Sequence, residues 1–247
     1  DDFGQSVRER LILGESDTRT KNWEREQRIF DATATLIVRY GYDKTSVSDI
    51  AKEAGISKGA VYLHFDSKDD LLHQLILREM LKFMDIWADR MRNDTSPNVF
   101  SSMYRHILTV MKESDFLWIL FSKQQWLLGA SYINRQGSTV FQQRLGLSQT
   151  MLTKLQAIGA IRQDLNPNTT AFLFNMLNYG YLKLGDVIPT ELAPPPDEII
   201  KEIGDLVQRH LEPADEGNPD EARKIILEFL SGGRQIVIQM LDNKSKN

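Results

Sequence analysis

The sequence predicts an all-α fold, with a small N-terminal helical domain followed by a larger helical one. Three observations lead there. From Trp23 onward the apolar residues recur at helical spacing and do not alternate as strands would. Three helix N-cap signals crowd into the stretch from Ser46 to Asp70. The later breaks fall at Asn93 to Pro97, Gly137, Asp164 to Pro167, Pro189 to Pro196 and Pro213 to Pro219, where Gly, Pro and Asn punctuate.

Residues 1–21 are polar, contain Gly4 and Gly14 and keep no sustained period, which predicts a flexible arm or a weak helix. From Trp23 to Gly41, Ile29, Thr33, Leu36, Ile37 and Tyr40 form the stripe of an amphipathic helix, and Gly41 ends it. Ser46 with Asp49 then caps a short helix to Ala54. Gly55-Ile56-Ser57 makes a tight turn, Ser57 caps a second short helix to Phe65, and Ser67 with Asp70 opens a third. Further helices are expected at about 68–92, 97–113, 115–133, 138–158, 167–186, 197–211 and 219–241, the last interrupted at Ser231-Gly232-Gly233.

Composition removes several classes of function. The chain contains no cysteine, which excludes disulfides, thiolate metal sites and cysteine nucleophiles and suits a reducing, cytoplasmic compartment. Apolar runs such as Phe116 to Phe121 are far shorter than the roughly 20 residues of a membrane span, so no membrane partner is expected. Neither a Gly-rich phosphate loop, nor metal-spaced ligands, nor a nucleophile elbow occurs, so the chain is not expected to be an enzyme or to carry a metal or cofactor. A net charge of -4 excludes a non-specific nucleic-acid coat, which neutralises phosphates with a large basic excess. It leaves room for a local binding face.

Such a face is present. Two short helices joined by a Gly-containing turn and framed by longer helices form the pattern of a helix-turn-helix DNA reader. Val47, Ile50, Ala51, Val61 and Phe65 supply its inner side, with Ile56 in the turn. Ser57, Lys58, Gly59, Ala60, Tyr62 and His64 remain outward on the second helix, and Lys68 opens the next. Hydroxyls, a helix N-terminus and an ammonium group match phosphates and base edges, and Gly59 and Ala60 let backbone approach closely. Thr45, Ser46 and Ser48 offer the same chemistry from the preceding helix, although capping alone explains such residues. Arg19, Lys21, Arg25 and Arg28 are interleaved with Glu24 and Glu26, which reads as a solvated face and not as a minor-groove arm.

Arg28-Ile29-Phe30-Asp31-Ala32, Gly41-Tyr42, Thr45-Ser46-Val47, Ile50-Ala51, Ala54 through Tyr62, His64-Phe65 and Lys68 resemble, without a gap, the N-terminal domain of the TetR family of transcriptional regulators. The resemblance implies an arm at 1–21, a helix-turn-helix domain at 22–67, and an effector-binding and dimerisation domain at 68–247. It also implies a homodimer on palindromic double-stranded operator DNA, acting as a repressor released by a small-molecule effector. The competing expectation is a regulator without effector, constitutive or controlled by a protein partner; an enclosed cavity in the larger domain would favour the first and a filled core the second. For an effector of apolar or aromatic character the candidate lining residues are Trp118, Phe121, Gln125, Trp126, Phe174 and Asn178, with Met103, Met111 and Met176 nearby. Leu173, Met176, Leu177, Leu227 and Leu230 are the candidates for the dimer interface.

Overall fold

The computed structural model describes residues 17–121, 145–184, 188–213 and 217–242, and the regular structure within them is helical. The chain divides between Leu75 and Ile76 into two compact units.

In the first unit, α1 spans Asp17–Tyr40. It starts inside the stretch expected to be an arm. Propagation from a helix anchored by its buried face is cheap once nucleated, so the helix extends into that stretch. Ile29, Phe30, Ala32, Thr33, Leu36 and Ile37 form the buried face. Tyr40, expected on that face, is 53% exposed. It occupies the last helical position, and the chain turns away at Gly41, whose N–H donates to Ile37 O at 2.9 Å.

Helices α2 (Val47–Glu53) and α3 (Lys58–Tyr62) follow, and each cap is side-chain chemistry visible in the sequence. The Ser46 hydroxyl accepts from Asp49 N at 3.2 Å, and the Asp49 carboxylate accepts from Ser46 N at 3.0 Å. Gly55, at φ 67°, lets α2 stop abruptly. Its N–H donates to Lys52 O at 3.2 Å and that of Ile56 to Ala51 O at 2.9 Å, the paired bonds of a Schellman ending. The Ser57 hydroxyl then accepts from Ala60 N at 3.1 Å and starts α3. Phe65 seals the underside edge-on against Phe30, ring centroids 5.1 Å apart. At the start of α4 (Lys68–Asn93) the expected reciprocal box is only half formed. Ser67 Oγ accepts from Asp70 N, whereas the Asp70 carboxylate accepts from Asp66 N, both at 3.0 Å.

The second unit takes in the remainder of α4 and α5 (Val99–Glu113), α6 (Asp115–Phe121), α7 (residues 145–157), α8 (Pro167–Lys183), α9 (Pro196–Leu211) and α10 (Pro219–Asp242). Its core includes Met91, Leu108, Leu152, Leu155 and Ile226. Two helices start on the same Asn-Pro device. Asn166 caps α8 through Asn168 N and Thr169 N at 2.9 and 3.2 Å, and Asn218 caps α10 through Asp220 N and Glu221 N at 3.1 and 3.3 Å. In both, proline occupies the position that needs no donor. Helix α5 finds its cap far along the chain: Glu212 accepts from Phe100 N at 2.9 Å, Ser101 N at 3.0 Å and Ser101 Oγ at 2.9 Å.

The expected interruption at Ser231-Gly232-Gly233 does not occur, since α10 runs unbroken to Asp242. The two glycines admit neighbours instead. A Cβ on Gly232 would meet Leu147 Cδ2 at 3.3 Å, and one on Gly233 would meet Met84 Cε at 3.2 Å. Close side-chain packing across the helix offsets the poor helix propensity of glycine.

Candidate nucleic-acid interface and ligand cavity

The first unit gathers most of the expected reader residues on its surface. Ser46, Ser48, Ser57, Lys58, Gly59 and Tyr62 are exposed, while Ala60 and His64 are half-buried. Gly59 is informative because a Cβ there would meet nothing closer than Ser57 Oγ at 4.0 Å. Packing inside the protein therefore gives no reason for glycine in this helix, although it costs about 1 kcal/mol relative to alanine. The space beyond Gly59 lies outside the protein. Tyr62 stands 50% exposed, and Leu63, at the helix C-cap, 82% exposed.

Two expected reader residues serve the fold. Thr45 is 3% exposed and donates its hydroxyl to Gly41 O at 2.8 Å, so it locks the turn after α1 and cannot present that donor to a phosphate. Lys68 lies with Nζ 3.9 Å from the centre of the Tyr42 ring and donates to Tyr42 O at 2.7 Å. Tyr42 in turn donates its hydroxyl to Asp69. Lys68 and Asp69 thereby clamp the start of α4 onto the turn after α1, and burial holds the Lys68 ammonium below the usual lysine range. The Ser46 hydroxyl is also committed, donating to Asp49 Oδ2 at 2.5 Å.

His64 is neutral-leaning. Burial, and secondarily the positive charge of Arg25, push its imidazole below the ordinary histidine value. Arg25 is half-buried and close enough to act on His64, so it does not belong to a freely solvated face.

The second unit contains a cavity of about 500 Å³, within the usual range for small-molecule sites. Phe174 and Asn178 line it as expected, with Met103, Met111 and Met176. Trp118 does not: its ring stands edge-on to Tyr181 at 5.6 Å. The side chain of Phe121, and Gln125 and Trp126, lie outside the described residues. Trp87, which lines the cavity from α4, was not among the expected lining residues. Its indole N–H and the Asn178 side-chain oxygen are buried without a hydrogen-bond partner.

Of the residues expected at a dimer interface, Leu173 and Met176 are 46% and 55% exposed. With Phe172 and Tyr179 they form an apolar face on α8. Leu177 and Leu227 are half-buried against the core. Leu230 is 3% exposed; it fills the core and has no surface to offer a second chain.

Among the described residues no group of three or more His, Asp or Glu is arranged to hold a metal, and no helix is long and apolar enough to cross a membrane.

Residues 29–75 match the family model of bacterial regulatory proteins of the tetR family. An HTH-type transcriptional regulator of Bacillus subtilis, YwcC, is 46% identical over 67 residues, which cover 26% of this chain and 30% of the relative. The fatty acid metabolism regulator protein of the same organism is 40% identical over 57 residues, covering 23% of this chain and 29% of the relative. The matched stretch thus spans less than a third of either relative. Across the larger part of the chain the likeness is one of fold. The transcriptional regulator FadR from Bacillus subtilis, in complex with stearoyl-CoA, superposes with a TM-score of 0.56 at 19% identity, covering 73% of this chain and 96% of that one. The matched stretch coincides with the capped helices, the Tyr42 clamp and the exposed face of α3, and these residues form an N-terminal domain of the tetR family of bacterial regulatory proteins.

Proposed function

We propose that the protein is a ligand-responsive transcriptional repressor that binds palindromic operator DNA as a cytoplasmic homodimer. The observation that carries this reading is the surface of α3. Ser57, Lys58, Gly59 and Tyr62 face outward from a helix fixed by local caps, with open space where Gly59 lacks a Cβ. Lys58 supplies charge for a phosphate or a guanine edge, Ser57 and Tyr62 supply hydroxyls, and Gly59 allows close approach. In an acidic chain these few groups, doubled by a second copy, supply what bulk charge does not. The two reader helices of a dimer enter successive major grooves roughly 34–36 Å apart. Phe172, Leu173, Met176 and Tyr179 on α8 are the surface offered to the second copy.

The cavity favours control by a small molecule over the alternative without an effector, for which a filled core is expected. Helix α4 contributes Lys68 and Asp69 to the clamp on Tyr42, and Met80, Met84 and Trp87 to the cavity lining. It is therefore the element through which a ligand alters the reader. The largely apolar lining makes apolar ligands the first to screen.

Selection of operator sequences from a random DNA pool, followed by anisotropy titration of the recovered duplex, tests the reading. Palindromic enrichment and two chains per duplex are expected. Failure to enrich any sequence overturns it. Coupling is reciprocal, so an effector that weakens operator binding must itself bind more weakly, by the same factor, when DNA is present.

A further inference from the structure

Among the described residues that line the cavity there is no Asp, Glu, Lys, Arg or His. An ionised group placed there would lose its hydration with no opposite charge to pair with, a cost that buried charges do not survive unpaired. The lining is also unusual in kind. Every methionine of the chain except Met91 contributes to it, so that seven of the eight meet there from five helices. Methionine has three rotatable bonds and a polarisable sulfur, and it repacks around differently shaped apolar partners and against aromatic rings. A core built for density alone would draw mainly on leucine, isoleucine and valine, as the unit does away from the cavity with Leu108, Leu155, Val207 and Ile226.

Polar chemistry in the lining is sparse and partly unanswered. Among the described residues the Trp87 indole N–H, on a side chain only 5% exposed, has no acceptor, and the Asn178 side-chain oxygen has no donor. Buried groups of this kind are nearly always paired, so each calls for a partner. A neutral group that accepts or donates, such as a hydroxyl, suits either atom. Both atoms are covered in this structure, and methionine is the most adaptable side chain of the lining.

We infer that the cavity takes uncharged, largely apolar ligands of more than one shape, carrying at most a neutral hydrogen-bonding group, and that it rejects carboxylates and phosphates. This rests on the reading of the cavity as the effector site and narrows its chemistry. The selectivity is built from the absence of a counter-charge among the described lining residues, and the breadth from the methionines.

The test uses the full chain with N-phenylnaphthylamine, a neutral fluorescent dye, as reporter. Dodecanol, dodecanoate and a compact aromatic alcohol such as naphthol compete with it, at a pH where only the dodecanoate is ionised. Dodecanol is expected to displace the dye at least about tenfold better than dodecanoate, since the two share a chain and differ in a charge that finds no partner. Naphthol is expected to displace it as well. Ser148→Lys, on the half-buried lining of α7, or Ile107→Lys on α5, places an ammonium in the wall and should narrow or invert the alcohol-to-carboxylate ratio. Two positions are given because either lysine could disturb the fold, which circular dichroism checks. Equal displacement by dodecanoate in the unaltered chain overturns the inference while leaving ligand control standing. Displacement by dodecanol but not by naphthol overturns the breadth. Failure of the dye and of every competitor to bind overturns both the inference and the effector reading.

Discussion

The two units use side chains in opposite ways. In the first, the interior is fully committed and the chemistry is outside: Ile29, Ile37 and Ile50 are completely buried, Thr45 and Lys68 are tied to backbone carbonyls, and Ser57, Lys58 and Tyr62 point away. In the second, the chemistry is inside, where Trp87 and Asn178 keep unpaired polar atoms beside a cavity walled by methionine and aromatic rings. A reader of a rigid polymer gains from a scaffold that does not yield. A site for a small molecule gains from walls that do. The difference places the sensitive residues of each unit on opposite sides of its surface, and it can be broken experimentally.

The largest expected effect is on DNA. Removing Lys58 and Tyr62 together, as Lys58→Ala with Tyr62→Ala, should weaken operator binding by roughly two orders of magnitude, since each base or phosphate contact is worth about 1–3 kcal/mol. The salt dependence should flatten, because fewer phosphates are neutralised. Melting temperature should stay close to that of the parent, both side chains being exposed. Lys68→Met gives the contrast. It removes the hydrogen bond to Tyr42 O and the charge over the Tyr42 ring, so it should lower the melting temperature and leave the salt slope nearly intact. If Lys68→Met flattens the salt slope as Lys58→Ala does, Lys68 belongs to the interface and its role as a clamp is wrong.

In the second unit the largest single effect comes from Glu212. Glu212→Ala strips Phe100 N, Ser101 N and the Ser101 hydroxyl of their acceptor, and should cost about 2 kcal/mol by chemical denaturation. Burial raises the Glu212 carboxyl above the usual glutamate range, against the pull of its hydrogen bonds from Ser101 and Phe100. Glu212→Gln keeps an acceptor oxygen and removes the buried charge, so it should recover most of the loss. Equal destabilisation by both substitutions would show that the charge, and not the acceptor, holds α5.

A smaller change separates stability from function at one position. Gly59→Ala enters open space in α3, so it should stabilise the protein by about 1 kcal/mol through helix propensity alone. The same methyl group stands where the operator backbone or a base edge must approach, so affinity should fall. Opposite signs in a melt and an anisotropy titration are the expected pair. A rise in both means that nothing approaches Gly59.

These contrasts also explain how much of the molecule was legible in its sequence. Caps were, because Ser46 with Asp49, Ser57 with Ala60 and Ser67 with Asp70 act over a few residues and need no tertiary information. The outward face of α3 followed from its caps and its apolar positions. Thr45 and Lys68 were misplaced because hydroxyl and ammonium groups suit phosphates and carbonyls equally, and only the path of the chain put Gly41 O and Tyr42 O within reach. Trp118 and Leu230 were misplaced for a related reason. An apolar residue at helical spacing looks the same whether it meets core, ligand or partner chain, and its neighbours come from elements far apart in sequence. Met103, Met111 and Met176 were visible as candidates, but Met80, Met84, Met151 and Met240 join them only once α4, α7 and α10 are packed.

The smallest expected effect joins the interior of the first unit to its surface, at His64. Its folded value lies below the unfolded value of about 6.5, through burial first and Arg25 second. Above that pH both states are neutral there. As pH falls through it, the unfolded chain takes up the proton first, so the fold loses stability until the lower folded value is passed. His73, also lowered by burial, acts in the same sense, so His64→Gln should remove only part of the slope in a series of melts. Operator binding should respond with the opposite sign. Phosphates near His64 favour the imidazolium, so complex formation takes up a proton and affinity should rise a few-fold as pH drops from about 7.5 to about 6. His64→Gln should abolish that rise. If the affinity profile of the variant matches the parent's, His64 meets no phosphate, and its depressed value records only its position between α3 and Arg25.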